Sequence, residues 1–212
     1  MNTPLIELLV KTDGGEFLAR YSENGLAELD FPKTGRADLL VSQATLPRCH
    51  TKIRGWHRLT EAALKNLLAG RDAKKLPPLD WTGKTEFQTS VWRELLKIPA
   101  GKTKSYGEIA AAIGNLKAVR AVGGACGANP IPVLVPCHRI LAANKKMGGF
   151  SGGLEWKRDL LSREGVKIQA AKKHKRRKMF FHSAPFDFLA AQFSAALRTA
   201  SISFCTSLKS SS

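Results

Sequence analysis

Two helix-start signals follow each other closely in the middle of this 212-residue chain, and no other feature constrains its fold as strongly. Thr85 with Gln88, and Ser105 with Glu108, are both capping boxes. In each, the hydroxyl and the longer side chain three residues on satisfy one another's backbone amides. The first box opens a helix with Phe87, Val91 and Leu95 at four-residue spacing, which Pro99 ends. The second opens a short helix from Tyr106 to Ile113, stopped at Gly114-Asn115, and a third helix, Leu116 to about Cys126, starts directly afterwards. Two short helices joined this tightly form a helix-turn-helix, a DNA-reading device that also occurs as plain core.

The third helix places Ala118, Ala121, Gly123, Gly124 and Ala125 around Arg120. Glycine inside a helix costs about 1 kcal/mol against alanine, so something must approach this backbone closely. Another helix would satisfy the condition, and so would a nucleic-acid backbone or narrow groove. Before the first box, residues 5–58 alternate short apolar runs, among them Leu8-Leu9-Val10, Phe17-Leu18-Ala19 and Leu39-Leu40-Val41, with turn signals, which predicts a small sheet. Thr60 is read as the cap of a helix carrying Ala63, Leu64, Leu67 and Leu68 and stopped by Gly70; Pro77-Pro78 then marks a linker. Val133-Leu134-Val135 reads as a short buried strand, and a last helix runs from Leu154 to Glu164 with Gly165 as its stop. The expected fold class is α+β: a small N-terminal sheet-plus-helix domain over 1–80, then a mainly helical domain with the helix-turn-helix over 81–170, then a tail at 171–212.

Charge points to a polyanionic partner. The net charge is +17, and the excess begins in the middle segment, where residues 86–170 hold 13 Lys/Arg against 6 Asp/Glu. Such a balance attracts nucleic acid first and anionic membrane next. No transmembrane span is present, and the start Met1-Asn2-Thr3-Pro4 lacks the features of a signal peptide, so an intracellular location is expected, cytoplasmic or, in a eukaryote, nuclear. The cysteines Cys49, Cys126, Cys137 and Cys205 are scattered without a Cys-x-x-Cys pair, which predicts free thiols. Cys49, His50 and His57 offer no fourth metal ligand, so no metal is expected.

Chemistry concentrates at Pro136-Cys137-His138-Arg139-Ile140. A thiol needs a base or cation beside it to react well at neutral pH, and His138 and Arg139 are candidates if the chain turns there. Taken alone, a Cys-His pair is more often a buried small hydrophobe next to a core histidine.

The stretch from Thr85 to Gly165 resembles the O6-alkylguanine-DNA alkyltransferase family, also called methylated-DNA–protein-cysteine methyltransferases. The resemblance runs through Ser105-Tyr106-Gly107-Glu108, Arg120-Ala121-Val122-Gly123-Gly124-Ala125, Asn129-Pro130, the Pro136-Cys137-His138-Arg139-Ile140 core, Phe150-Ser151-Gly152-Gly153 and Arg163-Glu164-Gly165. It implies that Cys137 is an acceptor thiolate, deprotonated by His138 through a water, with Glu164 orienting the histidine. It implies that Tyr106 gives a proton to the guanine ring, and that backbone groups near Cys137, Ile140, Ser151 and Gly152 hold the flipped base while Asn129 braces the turn. Arg120 would fill the gap left in the duplex, and the thin face formed by Ala118, Ala121 and Gly124 would enter the minor groove. A thioether has no leaving route, so the family's reaction is a single turnover on O6-alkylguanine, and by extension O4-alkylthymine, in double-stranded DNA. It requires no cofactor and no membrane, and a monomer is expected. A rival reading is a binding module that recognises alkylated bases without transfer, but relatives of that kind lack the acceptor thiol. A cysteine hydrolase would need an oxyanion hole, for which no separate motif is visible.

Two features depart from the family. Phe150 stands where some relatives carry tyrosine, which predicts only a changed tolerance for bulky alkyl groups. Residues 171–212 are foreign to the pattern: six cations fill seven positions from Lys172 to Lys178, and six of the chain's ten phenylalanines follow. This tail reads as a DNA-binding or nuclear-localising arm, a membrane-surface helix, or a frame-shifted extension without a selected role, and the abrupt change in composition favours the last.

Overall fold

Alternation of apolar residues builds the first layer. In the computed structural model, which describes residues 5–32 and 51–167, strands β1 (Ile6–Thr12), β2 (Gly15–Tyr21) and β3 (Leu26–Asp30) form an antiparallel sheet in that order. Leu8, Val10, Phe17, Ala19, Tyr21, Leu26 and Leu29 point into the core and are almost wholly buried. Cross-strand charge fixes the register on the other face, where Arg20 donates to Glu7 at 2.6 Å, Glu28 at 2.8 Å and Asp30 at 3.1 Å. Gly25 has φ +153°, and a Cβ there would lie 2.3 Å from the Pro78 carbonyl oxygen. The chain at 78–80 is therefore seated on β3, with Leu26 N–H donating to Pro78 O and Asp80 N–H to Leu26 O, both at 2.8 Å.

Helix α1 (Thr51–Leu68) packs on β1 and begins nine residues before the expected cap. Thr60 is a buried mid-helix residue. Its hydroxyl donates to Trp56 O at 3.0 Å, four residues back, and accepts from Tyr21 Oη–H at 2.9 Å. A threonine can serve a cap or the preceding turn, and here tertiary contact with Tyr21 decides. Gly70 does end the helix, at φ +72°. The expected strand at Leu39-Leu40-Val41 lies outside the described residues.

Both capping boxes form as the residues dictate, Thr85 opening α2 (Glu86–Leu96) and Ser105 opening α3 (Tyr106–Ala112). Gly114, at φ +73°, turns the chain into a 3-10 turn, Leu116–Ala118, followed by α4 (Val119–Gly127). The first turn of the expected third helix is thus tighter than α, because Asn115 supplies no side-chain cap and Ala118 N–H instead bonds Asn115 O at 3.0 Å. Two-residue strands β4 (Lys104–Ser105) and β5 (Ile140–Leu141) pair in parallel, and α5 (Leu154–Arg163) ends before Gly165. The coarse architecture is mixed α and β, a small sheet with five helices, and one apolar core runs from the sheet through α1 to α2 and α4. Among the described residues no helix is long and apolar enough to cross a membrane.

Trp92 ties α2 to α4: it is fully buried and its Nε1–H donates to Ala125 O at 2.8 Å. Trp92→Phe removes that bond inside the core and is expected to cost about 1–3 kcal/mol in urea unfolding.

Val133-Leu134-Val135 is a correction to the sequence reading. The segment is buried, but it is a tight turn, with Val133 at φ +73° and Val135 N–H bonded to Ile131 O at 3.0 Å. Asn129 takes the part of a neighbouring strand. Its Oδ1 accepts from Ile131 N–H at 3.0 Å and its Nδ2 donates to Val135 O at 2.9 Å. A positive φ is costly for a β-branched residue, and this side-chain clamp, with full burial of Val133, holds it.

Candidate active site

Pro136 leads the chain into a 3-10 turn at Cys137–Arg139, so the three consecutive side chains do not alternate between two faces as they would on a strand. Helices α2 and α5 pack against this turn. The Cys137 side chain is buried, and its Sγ accepts a hydrogen bond from Asn129 Nδ2 at 3.2 Å. Asn129 thus holds both the turn before the cysteine and the sulfur itself. Burial pushes the Cys137 thiol up, while the Asn129 bond and the positive charge of Lys157 oppose the rise.

His138, 1% exposed, meets Glu164 on the other side of the turn, Nε2 lying 3.0 Å from Oε1. Burial lowers the histidine's affinity for protons, with Glu164 opposing, and the ring is neutral at pH 7. A neutral ring facing a carboxylate through Nε2 carries its hydrogen there. Nδ1 is then a buried lone pair with no protein partner among the described residues, placed to take a proton. Burial acts to raise Glu164, but bonds from His138 and Arg139 hold its carboxyl below the ordinary value. Arg139 is bonded to other groups than the thiol. Its Nε and Nη2 donate to Glu164 Oε1 at 2.9 and 2.8 Å, and its Nη1 donates to Ile98 O at 2.5 Å and meets Asp72 at 3.1 Å. Of the two neighbours offered as base or cation for the thiol, Arg139 is bonded instead to the Glu164 carboxylate.

Tyr106, first residue of α3, is half-buried, and burial together with the two nearby thiols raises its hydroxyl above the ordinary value, so it stays a neutral donor. The loop before α5 folds over it. Gly148 has φ +61°, and a Cβ there would come within 2.9 Å of Tyr106 Oη. Phe150 stands edge-on to His138, ring centres 6.4 Å apart, and Ser151 is exposed. Gly152 lies against Phe31, whose ring a Cβ would meet at 2.3 Å. Phe31 stacks in turn with Phe17, Phe150 and Trp156, an aromatic cluster that joins the sheet to this loop. Ile140 is wholly buried on β5, and its N–H bonds Cys137 O.

On α4 the small residues divide by face. Val122, Ala125 and Cys126 are buried, while Arg120, Ala121 and Gly124 are exposed and Ala118 is half-buried at the helix start. A Cβ built on Gly124 or Gly127 would meet nothing within 4 Å. Packing among the described residues therefore does not require these glycines.

The family model of the 6-O-methylguanine DNA methyltransferase DNA binding domain matches residues 86–166. A methylated-DNA–protein-cysteine methyltransferase from Methanosarcina acetivorans is 42% identical over 151 residues, covering 71% of this chain and 92% of the relative. This chain belongs to the methylated-DNA–protein-cysteine methyltransferase family. A Mycobacterium tuberculosis methyltransferase is 55% identical over a shorter stretch, 43% of this chain and 55% of its own length. Among solved structures, Mycobacterium tuberculosis OGT in complex with DNA aligns at a TM-score of 0.60 and 34% identity, covering 74% of this chain and 91% of that one.

Within this methyltransferase the sequence reading gave two residues near the site no role in it. Lys157 is fully buried on α5, at a place on the apolar stripe beside Leu160 and Leu161, and a lysine at such a position was a readable signal. Cys126 is a second buried thiol, pushed up by burial to about 12. His57, weighed as a metal ligand, is buried with Nδ1 3.0 Å from Tyr21 Oη. Cys49, His50, Cys205 and the tail at 171–212 lie outside the described residues.

Proposed function

We propose that Cys137 is the residue on which this DNA-repair methyltransferase receives its alkyl group, and that the reaction is irreversible. The observation that carries the reading is the division of labour on His138, with Nε2 committed to Glu164 and Nδ1 unpartnered, one residue from a buried thiol. The Cys137 proton passes to Nδ1 through a water. Sulfur then bonds the alkyl carbon of O6-alkylguanine, the carbon–O6 bond breaks, and its electron pair passes into the purine. Tyr106 supplies the proton that neutralises the ring and recovers one from His138 through solvent. The net change is thiol plus alkylguanine to thioether plus guanine, and O4-alkylthymine follows the same path. Backbone groups around Cys137, Ile140, Ser151 and Gly152 receive the extruded base.

Helices α3 and α4 act as a helix-turn-helix whose second helix lies in the minor groove. The outward stripe of Ala118, Ala121 and Gly124 supports this, because it is thin and a Cβ on Gly124 would meet nothing within 4 Å among the described residues. Arg120, exposed and without a partner among the described residues, enters the stack in place of the flipped nucleotide. Such a protein works wherever the cell keeps its DNA, in the cytoplasm or a nucleus.

Intact-protein mass after mixing with an O6-methylguanine duplex tests the reading. One added methylene unit on the peptide containing Cys137, absent in Cys137→Ser, is expected. Tight binding with unchanged mass would favour a recognition module instead.

A further inference from the structure

Helix α5 presents two ionisable side chains to the turn that carries Cys137. Glu164 follows its last residue, and Lys157 lies two helical turns earlier on the same stripe, with Leu160 and Leu161 between them. Lys157 is 0% exposed, and the one hydrogen bond its side chain makes among the described residues runs from Nζ to Gly149 O at 3.3 Å. A buried ammonium with a single long bond to a carbonyl is poorly compensated.

The charges around it leave one candidate partner. Glu164 is already neutralised, since Arg139 donates twice to its Oε1. His138 is kept neutral by burial, Tyr106 stays a phenol, and Cys126 is pushed up to about 12 and so keeps its proton. The Lys157 charge acts on the two thiols, and burial brings the lysine down to about 8. Of the two thiols, Cys137 is the one whose sequence neighbour, His138, carries a buried ring nitrogen, Nδ1, with no partner among the described residues.

We propose that the Lys157 ammonium is the buried counter-ion of the Cys137 thiolate, and that the same ammonium fixes the Gly149 carbonyl in the loop beside Tyr106. Lys157 is a positioning residue, since it touches neither substrate nor the transferred group. The inference rests on Cys137 being the acceptor. It makes thiolate formation and loop placement depend on one charge, so the loop is held most firmly when the sulfur is ready to react.

Iodoacetamide separates thiolate population from base recognition, because it needs no base pocket. In the full-length protein the alkylation rate of Cys137, followed by peptide mass against pH, is expected to fall at least about tenfold at neutral pH in Lys157→Met, its midpoint moving upward by about one pH unit. Lys157→Arg, which keeps the charge, is expected to stay within about threefold of the native rate. An unchanged profile in Lys157→Met would overturn the counter-ion role. Methyl uptake by Cys137→Ser would instead overturn the acceptor assignment. Should Lys157→Met fail to fold, the native protein still decides. The Lys157 ammonium, followed by NMR in 15N-lysine protein, should titrate at lower pH once Cys137 has been methylated, and an unmoved midpoint refutes the pair.

Discussion

In Glu164→Ala, urea denaturation is expected to show a loss of about 3–5 kcal/mol, the cost of taking its buried partner from a buried charge. Arg139 is 2% exposed and places Nε and Nη2 on Glu164 Oε1, so deletion of the carboxylate leaves the guanidinium only its Nη1 contacts with Ile98 O and the more exposed Asp72. Gln at 164 keeps the shape and costs less, but its amide no longer favours the His138 tautomer with hydrogen on Nε2. Transfer from a methylated duplex at pH 7, measured on protein still folded, is expected to fall about 10²–10⁴-fold in both variants, the range of a lost general base. Acid should act in the same direction on the native protein. The folded His138 binds its proton below the ordinary value of 6.5, so the unfolded chain takes up a proton there that the folded one refuses, and stability declines as pH falls below that value. Glu164, held below 4.5, stabilises the fold above that pH and ceases to do so as pH falls through its lowered value. Glu164→Gln should abolish the second decline, and a pH–stability curve that keeps it would show that other carboxylates are responsible.

Arg120→Ala should separate duplex repair from chemistry. Extruding a base costs a few kcal/mol, so losing the side chain that fills its place is expected to slow repair of duplex DNA about 10²-fold. Reaction with free O6-benzylguanine needs no extrusion and should stay within about twofold, because Arg120 is exposed and makes no bond to the site's residues. Equal losses on both substrates would refute the role. Gly124→Phe gives an independent check, since a Cβ there meets nothing within 4 Å among the described residues, yet the ring would obstruct a groove seated on that face.

Local signals were legible where a single residue or pair decides the outcome. The boxes at Thr85 and Ser105 start α2 and α3, and Gly70, Gly114 and Gly165 take left-handed conformations just past the ends of α1, α3 and α5. The readings that failed depended on distant partners. Nothing near Thr60 reveals that Tyr21 will claim its hydroxyl, and an apolar run such as Val133-Leu134-Val135 looks alike as strand or buried turn until Asn129 is seen supplying the bonds. At the site, adjacency in Cys137-His138-Arg139 could not say which way each side chain points. The 3-10 turn sends Arg139 to Glu164, a carboxylate 25 residues away. Lys157 was overlooked because a lysine in a charged helix is normally solvated, and only its place on the apolar stripe marks it as different.

The contact between Gly152 and Phe31 reaches beyond packing. The loop that covers Tyr106 and flanks His138 rests on an aromatic cluster whose members Phe17 and Phe31 come from the opening sheet region. The position of this loop is therefore set in part by residues far from it in sequence. If the loop bounds the base pocket, as proposed, exchanging one ring in the first 32 residues would alter the range of lesions accepted and leave every reacting group untouched.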